Sequence, residues 1–488
     1  MTDEATFTLG DIAAALTGQT PERAQSEQIR FSEAVIDSRQ AREGSLFVAL
    51  PGERHDGHEF VSAALAAGAR GALVKPLIRQ NPPDAVLWEP AVDPTLTAAG
   101  PASASGKPVC IVVDDPLQAL QRLAAYWRRQ FPACRVIGIT GSIGKTSTKE
   151  LAAAVLSQAY RTLKSPGNYN NEIGLPLTLL RLDGTHQRTV LEMSMYDLGE
   201  IALLAEIAQP QVGVVTNVGP IHLERLGTIA RIAQAKAELV AALPPDGIAI
   251  LNGDDPHVRA MRDMTPARRV LLYGRQPENE LWADEATSRG LEGIALRFHW
   301  HDETIPAALP LIGTHHVWTA LAAAAVGLAE GMSWDQIVAG LAQPELPSRL
   351  VIVPGMRQTR LLDDTYNAGP ASVLAALEVL ASVPERRVAV LGDMLELGAQ
   401  EEVGHRLVGA RVAEVAQRLI TVGPRAQLIA AEAMARGMPA SAVRSVSNNQ
   451  EAVAALTELL EPGDTVLIKG SRGMKMEEIV AALRRHEA

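Results

Sequence analysis

The chain has 488 residues, too many for a single hydrophobic core, so three domains are expected. Apolar residues make up 47% and aromatics only 4%, which favours helices packed on parallel sheets over a β-sandwich. A formal charge of −11 excludes a general nucleic-acid binder, which needs clustered Lys and Arg, but leaves room for a small anionic ligand held by local donors.

The two cysteines, Cys110 and Cys134, lack metal-ligand spacing and read as buried thiols in a reducing compartment. The opening MTDEATFTLG has neither a basic nor an apolar leader region, and no run of 18 apolar residues occurs. The expectation is a cytoplasmic protein that does not enter a membrane and acts as a monomer.

Residues 1–131 read as a small α/β domain. SLFVAL (Ser45–Leu50) and GALV (Gly71–Val74) have the look of strands, with a helical stretch, HEFVSAALAAGA, between them. Residues 79–108, rich in Pro, Ala and Ser, are expected to form a surface loop or insertion. CIVVDD then returns to the sheet, LQALQRLAAYWRRQ forms a helix, and Pro132 marks a linker.

Residues 132–343 form the expected second domain. RVIGIT, TVLEMSM, VGVVTNV, GIAILNGDD and RVLLYG alternate with helical stretches, the pattern of a parallel sheet. Residues 281–312 lose that rhythm and suggest an antiparallel hairpin, followed by helices at Val317–Glu330 and Trp334–Leu341. After the linker QPELPS, residues 344–488 restart the alternation with VAVLGDM, LITVG and DTVLIKG. The third domain is therefore Rossmann-like, without the GxGxxG fingerprint of a bound dinucleotide.

The most informative local signal is Thr140-Gly141-Ser142-Ile143-Gly144-Lys145-Thr146, with Ser147 next, between a strand and a helix. Glycines let successive amides turn toward phosphate oxygens, and the helix N-terminus adds partial positive charge. Lys145 can reach the β- and γ-phosphates and the Thr146 hydroxyl can ligate magnesium. Gly138 sits one residue too far upstream for the full Walker pattern. By itself the loop implies a nucleoside triphosphate, which covers kinases, switches, motors and ligases alike.

Three later residues point to metal chemistry: Glu192 on TVLEMSM, His222 after VGVVTNV, and Lys236 in IARIAQAKAELVAAL. Ligands gather where the strands of an open parallel sheet end, which would bring Glu192 and His222 to the phosphate loop. Taken singly, each has an ordinary alternative: a strand-end carboxylate, a loop histidine, one charge on a solvated helix face beside Glu238.

Together, TGSIGKTSTKE, PGNYNNEIGLPLTLL, LEMSMYDLGEI and NVGPIHLERLG…AKAEL resemble the central ATPase domain of the Mur ligases. The resemblance implies that Thr146, Glu192, His222 and Lys236 hold Mg2+, with Lys236 carbamylated by CO2. A carbamate offers two hard oxygens where an ammonium offers none. IDSRQAREGSLFVALPGERHDGHEFV resembles the family's UDP-holding N-terminal domain, placing Ser38, Arg39 and Asp56 at the substrate. DDTYNAGPASVLAAL, VLGDMLELG and VLIKGSRGMKMEE resemble the C-terminal domain of the member that adds D-alanyl-D-alanine.

That likeness implies three α/β domains in series, with ATP, UDP-N-acetylmuramoyl-tripeptide and D-alanyl-D-alanine as substrates, and an acyl phosphate between them. It implies Arg349 at the γ-phosphate, Asn252 at the nucleotide, and Asp364 and Asn367 at the nucleotide or dipeptide. Asn170, Asn171, Lys469, Ser471 and Arg472 are implied on the substrate side. The family's G-x-H-N-x-x-N reads Gly313-Thr-His-His-Val-Trp-Thr319 here, so His316 and Thr319 stand where Asn is usual. The alternatives are a related ligase with another amine, such as folylpolyglutamate synthase, a P-loop kinase, and a nucleotide-binding regulator without turnover.

Overall fold

The computed structural model describes residues 7–19, 29–52, 55–94, 106–220, 223–343 and 350–485. Among the described residues, three large open sheets follow one another along the chain, beside a two-stranded antiparallel pair, Phe7–Thr8 with Arg30–Phe31. The first has five parallel strands in the spatial order Glu33–Val35, Ser45–Val48, Gly71–Val74, Val109–Val112 and Val86–Trp88. The third has six, in the order Val351–Pro354, Arg360–Asp363, Thr465–Lys469, Arg387–Gly392, Arg418–Val422 and Val443–Val446, all parallel except the first.

The central sheet has nine strands. Its parallel core runs Arg269–Gly274, Ile248–Asn252, Val212–Val215, Arg135–Thr140, Arg188–Glu192 and Thr162–Lys164. These strands read as near-continuous apolar runs because helices cover both faces: Val136, Ile137 and Ile139 are fully buried. The sequence assigned residues 281–312 to a hairpin. They form three strands, Leu281–Ser288, Ile294–Trp300 and Glu303–Leu309, that meander antiparallel and extend the same sheet. Their alternating burial, with Leu281, Ala283, Ile294, Leu296 and Phe298 inward, follows from only one face being covered.

The segment 79–108 also departs from the loop expectation. Val86–Trp88 pairs with Val109–Val112, and Trp88 is fully buried with its indole Nε1 donating to the Asp93 carbonyl at 2.8 Å. Three residues between prolines are too short to show a period; residues 95–105 lie outside the described residues.

The helix Pro116–Arg129 starts with Asp115 as cap and Pro116 at its first position, where a missing N–H costs nothing. Its apolar stripe does not stop at the first domain. Leu120, Leu123 and Trp127 share one core with Leu177, Leu179 and Leu204, and Trp127 Nε1 donates to the Leu182 carbonyl at 3.0 Å. Buried Arg128 donates to the carbonyls of Ala208 and Cys134, both at 3.0 Å, so the first two domains are joined by polar as well as apolar contact. Among the described residues, no helix is long and apolar enough to cross a membrane.

Candidate active site

The strand Arg135–Thr140 ends at the glycine-rich loop and the helix Lys145–Leu156 begins directly after it. Gly141 has φ +149°, and a Cβ there would lie 1.9 Å from Thr216 Oγ1, so only glycine fits. Gly144, at φ +84°, caps the helix, leaving first-turn amides to face a ligand. The loop is held from one side. Asn217 accepts from Ile143 N at 2.9 Å, while its Nδ2 and Thr216 Oγ1 donate to the Ile143 carbonyl at 2.8 and 2.7 Å. Ser142 Oγ accepts from Gly219 N at 2.8 Å and donates to its carbonyl at 3.2 Å.

Lys145 folds over the loop, its Nζ donating to the carbonyls of Gly141 at 2.8 Å and Ser142 at 3.3 Å. Thr146 and Ser147 lie in the first turn of the helix. Glu192 closes the neighbouring strand, in register with Ile139, and is 2% exposed. Its Oε1 accepts from Asn170 Nδ2 at 2.8 Å, while Oε2 is buried with no hydrogen-bond partner among the described residues. An oriented, half-satisfied carboxylate of this kind suits a cation. Asn171 stays local, its Oδ1 accepting from Ile173 N and Gly174 N at the start of the helix Gly174–Leu179.

Lys236 lies in the helix Ile229–Ala241 and is 1% exposed. Burial pushes its amine well below the ordinary lysine range, and the charge of Lys145 pushes it further. Glu238, two residues on, points elsewhere and accepts from Gly199 N and Ala202 N. His222 lies outside the described residues; the helix Leu223–Leu226 follows it. Among the described residues no three His, Cys, Asp or Glu side chains converge as a metal cluster.

Asn252 ends the strand Ile248–Asn252 and ties it to the loop's support, its Nδ2 donating to the Thr216 carbonyl at 2.8 Å. Beside it opens a cavity of about 370 Å³ lined by Asn252, Asp254, Asp255, His257 and Trp318 among others. Sequence reasoning missed Thr216, Asn217 and Trp318. Asn217 follows an apolar strand, a position where ligand-facing groups collect, which is the signal that would have found it.

In the third domain, Lys469 ends a central strand, pairs with Asp364 at 2.7 Å and donates to the Asn367 carbonyl at 2.8 Å. Ser471 Oγ donates to the Ala368 carbonyl at 3.1 Å, and Asn367 Oδ1 accepts from Arg472 N at 3.3 Å. Asp364, Asn367, Lys469, Ser471 and Arg472 thus meet at one sheet end, with the exposed Arg472 guanidinium 5.8 Å from the Tyr366 ring centre. Arg349 lies outside the described residues.

In the first domain, Ser38 and Arg39 occupy an exposed 3-10 turn (Ser38–Gln40) after the edge strand, and Arg39 pairs with Asp37. Asp56 caps the next turn and accepts from His58 Nδ1 at 2.6 Å, while His58 Nε2 accepts from Lys75 N. The contacts of Arg39 and Asp56 are local to the first domain, Arg39 with Asp37 and Asp56 with His58.

Three family models match the chain in order: Mur ligase family, catalytic domain (residues 31–128), Mur ligase middle domain (139–327) and Mur ligase, glutamate ligase domain (348–472). The chain is 38% identical over 464 residues to the UDP-N-acetylmuramoyl-tripeptide--D-alanyl-D-alanine ligase of a Synechocystis species, covering 94% of this chain and 93% of the relative. With the enzyme of the same name from Escherichia coli it shares 36% identity over 98% of each chain. Among solved structures it is similar to MurF from Acinetobacter baumannii (TM-score 0.81, 31% identity, 98% of each chain). It is also similar to MurF ligase from Thermotoga maritima in complex with ADP (TM-score 0.74, 27% identity, 92% of this chain and 96% of that one).

Proposed function

We propose that this chain, which belongs to the Mur ligase family, joins D-alanyl-D-alanine to UDP-N-acetylmuramoyl-tripeptide, giving UDP-N-acetylmuramoyl-pentapeptide, ADP and phosphate. A carboxylate is a poor electrophile, so the tripeptide carboxylate first attacks the γ-phosphorus of ATP, displacing ADP and forming an acyl phosphate. The dipeptide amine then adds to that carbonyl, loses a proton, and phosphate departs. The product is a precursor of peptidoglycan, and the reading places the reaction in the cytoplasm with a monomeric enzyme.

The observation that carries the mechanistic part is the buried Lys236 amine, held below the ordinary lysine range next to Lys145. A lysine kept neutral can attack CO2, and the resulting carbamate would face the cation Lys145. The unpartnered Glu192 Oε2 fits the same cation site. Thr146, Glu192, His222 and carbamylated Lys236 are proposed to hold magnesium, which when bound neutralises the triphosphate and the developing charge. Lys145 would leave its loop carbonyls for the β- and γ-phosphates, and Arg349 would meet the γ-phosphate. Asn252 serves the nucleotide side. Ser38, Arg39 and Asp56 are assigned to the UDP end, Asn170 and Asn171 to the substrate edge of the loop. Asp364, Asn367, Lys469, Ser471 and Arg472 are assigned to the nucleotide–dipeptide junction.

The test is phosphate release from ATP with the UDP-tripeptide, with and without D-alanyl-D-alanine, with the product weighed by mass spectrometry. Release that needs both substrates, and a product heavier by the dipeptide less water, supports the reading. Release only with diaminopimelate, lysine or glutamate moves the chain to another branch of the family.

A further inference from the structure

The loop 393–398 follows the strand Arg387–Gly392, which lies inside the third sheet and pairs with Thr465–Lys469. It therefore opens at the carboxyl end of a parallel strand, where ligand-facing groups collect, next to Lys469, Ser471 and Arg472. One hydroxyl ties its backbone to the two neighbouring loops. Leu395 N donates to Ser471 Oγ at 2.8 Å, and the same Oγ donates to the Ala368 carbonyl at 3.1 Å. Ser471 N in turn donates to the Asp393 carbonyl at 3.0 Å. A shift of the loop 393–398 would thus carry Ser471 and the turn at Ala368 with it. Glu396, at φ +63°, keeps a backbone conformation that a non-glycine residue holds only where its surroundings fix it.

What fixes this loop from behind is His405. It lies in the helix Glu401–Val415, is fully buried, and has both ring nitrogens engaged. Nδ1 stands 2.7 Å from the Glu401 carbonyl, which can only accept, and Nε2 stands 3.1 Å from Met394 N, which can only donate. The ring proton therefore sits on Nδ1, and the Nε2 lone pair holds the Met394 amide. Met394 is itself fully buried, so that amide has no water to turn to, and the next amide along the chain is the one that binds Ser471. We propose that His405 is a positioning residue for the amine substrate. By fixing the Met394 amide it sets the place of Leu395, and through Leu395 that of Ser471 and the turn at Ala368. Without the imidazole acceptor a buried N–H is left unpaired, and the loop must move to satisfy it. The triphosphate is held by the central domain, so the site that loosens is the one that receives the dipeptide. This role rests on the reading of the third-domain sheet end as the amine site and names a residue behind it that sets its shape.

Steady-state kinetics and thermal melting of full-length variants test it. His405→Leu keeps most of the volume and drops the acceptor, whereas His405→Gln keeps an acceptor able to reach Met394 N. Val412→Ala, on the same helix, removes apolar volume from the same core and serves as the purely structural comparison. His405→Leu should raise KM for D-alanyl-D-alanine about tenfold, with kcat and the KM values for ATP and the UDP-tripeptide within about twofold of the parent. His405→Gln should stay within about threefold of the parent in every constant. Val412→Ala should lower the melting temperature and move no KM. His405→Asn, whose amide can stand where Nδ1 does but falls short of Met394, should behave as the Leu variant does, and it carries the test if the Leu protein does not fold. Three KM values that shift together, a Gln variant as impaired as the Leu variant, or a dipeptide KM raised equally by Val412→Ala would overturn the inference, because each marks a merely structural histidine. Turnover by the parent with an unmoved dipeptide KM in the Leu and Asn variants sinks this inference alone, whereas a parent that turns over with no amine sinks the ligase reading as well.

Discussion

Gly141→Ala should damage the phosphate loop by an amount the geometry sets. The new Cβ would lie 1.9 Å from Thr216 Oγ1, at a backbone φ of +149° that L-residues rarely adopt. The backbone strain costs about 1–3 kcal/mol. Thr216 must also swing away from the Ile143 carbonyl it binds at 2.7 Å, a loss of about 1 kcal/mol. The sum, about 2–4 kcal/mol, corresponds to a fall in melting temperature of roughly 5–15 °C for a domain of this size. ADP affinity should fall with it, because the loop amides lose their common aim. The decisive comparison is the double variant Gly141→Ala/Thr216→Ala. Removing the hydroxyl leaves the nearest remaining contact, Thr216 Cβ, at a tight but tolerable 3.0 Å. The pair should then cost about 1 kcal/mol less than the two single changes added together. Thermal melting and ADP titration of all four proteins give the answer. Additive losses, or a Gly141→Ala protein that melts and binds like its parent, would refute the steric account.

Other changes probe the rest of the site. Asn170→Ala releases the Glu192 carboxylate from its 2.8 Å contact and should lower ligase activity about 10–100-fold with little change in melting, measured at fixed magnesium. Lys236→Met, in buffer without CO2, metal or nucleotide, should stabilise the protein at pH 7, checked by denaturant unfolding across pH. Because the folded-state pKa of Lys236 is depressed, the unfolded chain binds the extra proton between that pKa and about 10.4. The parent's stability should therefore rise with pH there, by at most about 1.4 kcal/mol per unit, and the variant's advantage should shrink. Neither thiol should react with a disulfide reagent at pH 8 until the chain is unfolded, since burial pushes Cys110 up to about 12 and raises Cys134 as well. Lys469→Ala should lower stability by about 3–5 kcal/mol by breaking its buried ion pair with Asp364, whereas Arg472→Ala should raise KM for the dipeptide and leave melting alone; exchanged phenotypes would reverse those roles.

Local features were legible in the sequence. TGSIGKT announced a strand, a turn and a helix start, because glycine's conformational freedom and a helix N-terminus act within a few residues. The strands Gly71–Val74, Arg135–Thr140 and Arg269–Gly274 fall where their apolar runs placed them. Strand Val86–Trp88 did not show, for its three residues gain their stability from the neighbour Val109–Val112 and not from any pattern of their own. The third strand of the central meander was lost in the same way. The clamp of Thr216 and Asn217 on Ile143 spans more than seventy residues of chain, so nothing near the loop foretells it. Trp318 carries no signal in its own stretch; its partner Asp254, 64 residues away, gives the indole a direction.

The lysines show why a charge's fate lies beyond sequence pattern. Lys149, Lys236 and Lys469 are 0%, 1% and 2% exposed. A buried ammonium must find acceptors or lose its proton. Lys149 finds the carbonyls of Ser165 and Gly167, both at 2.9 Å, with Glu150 at 3.0 Å. Lys469 finds Asp364 at 2.7 Å and the Asn367 carbonyl at 2.8 Å. Lys236 has no carboxylate partner among the described residues, and the charge acting on it is another cation. Lys236 is driven toward the neutral amine, and an amine must be neutral before it can attack CO2. An ammonium there would meet the like charge of Lys145, whereas a carbamate would meet an opposite one, and that attraction offsets the cost of burying the new anion.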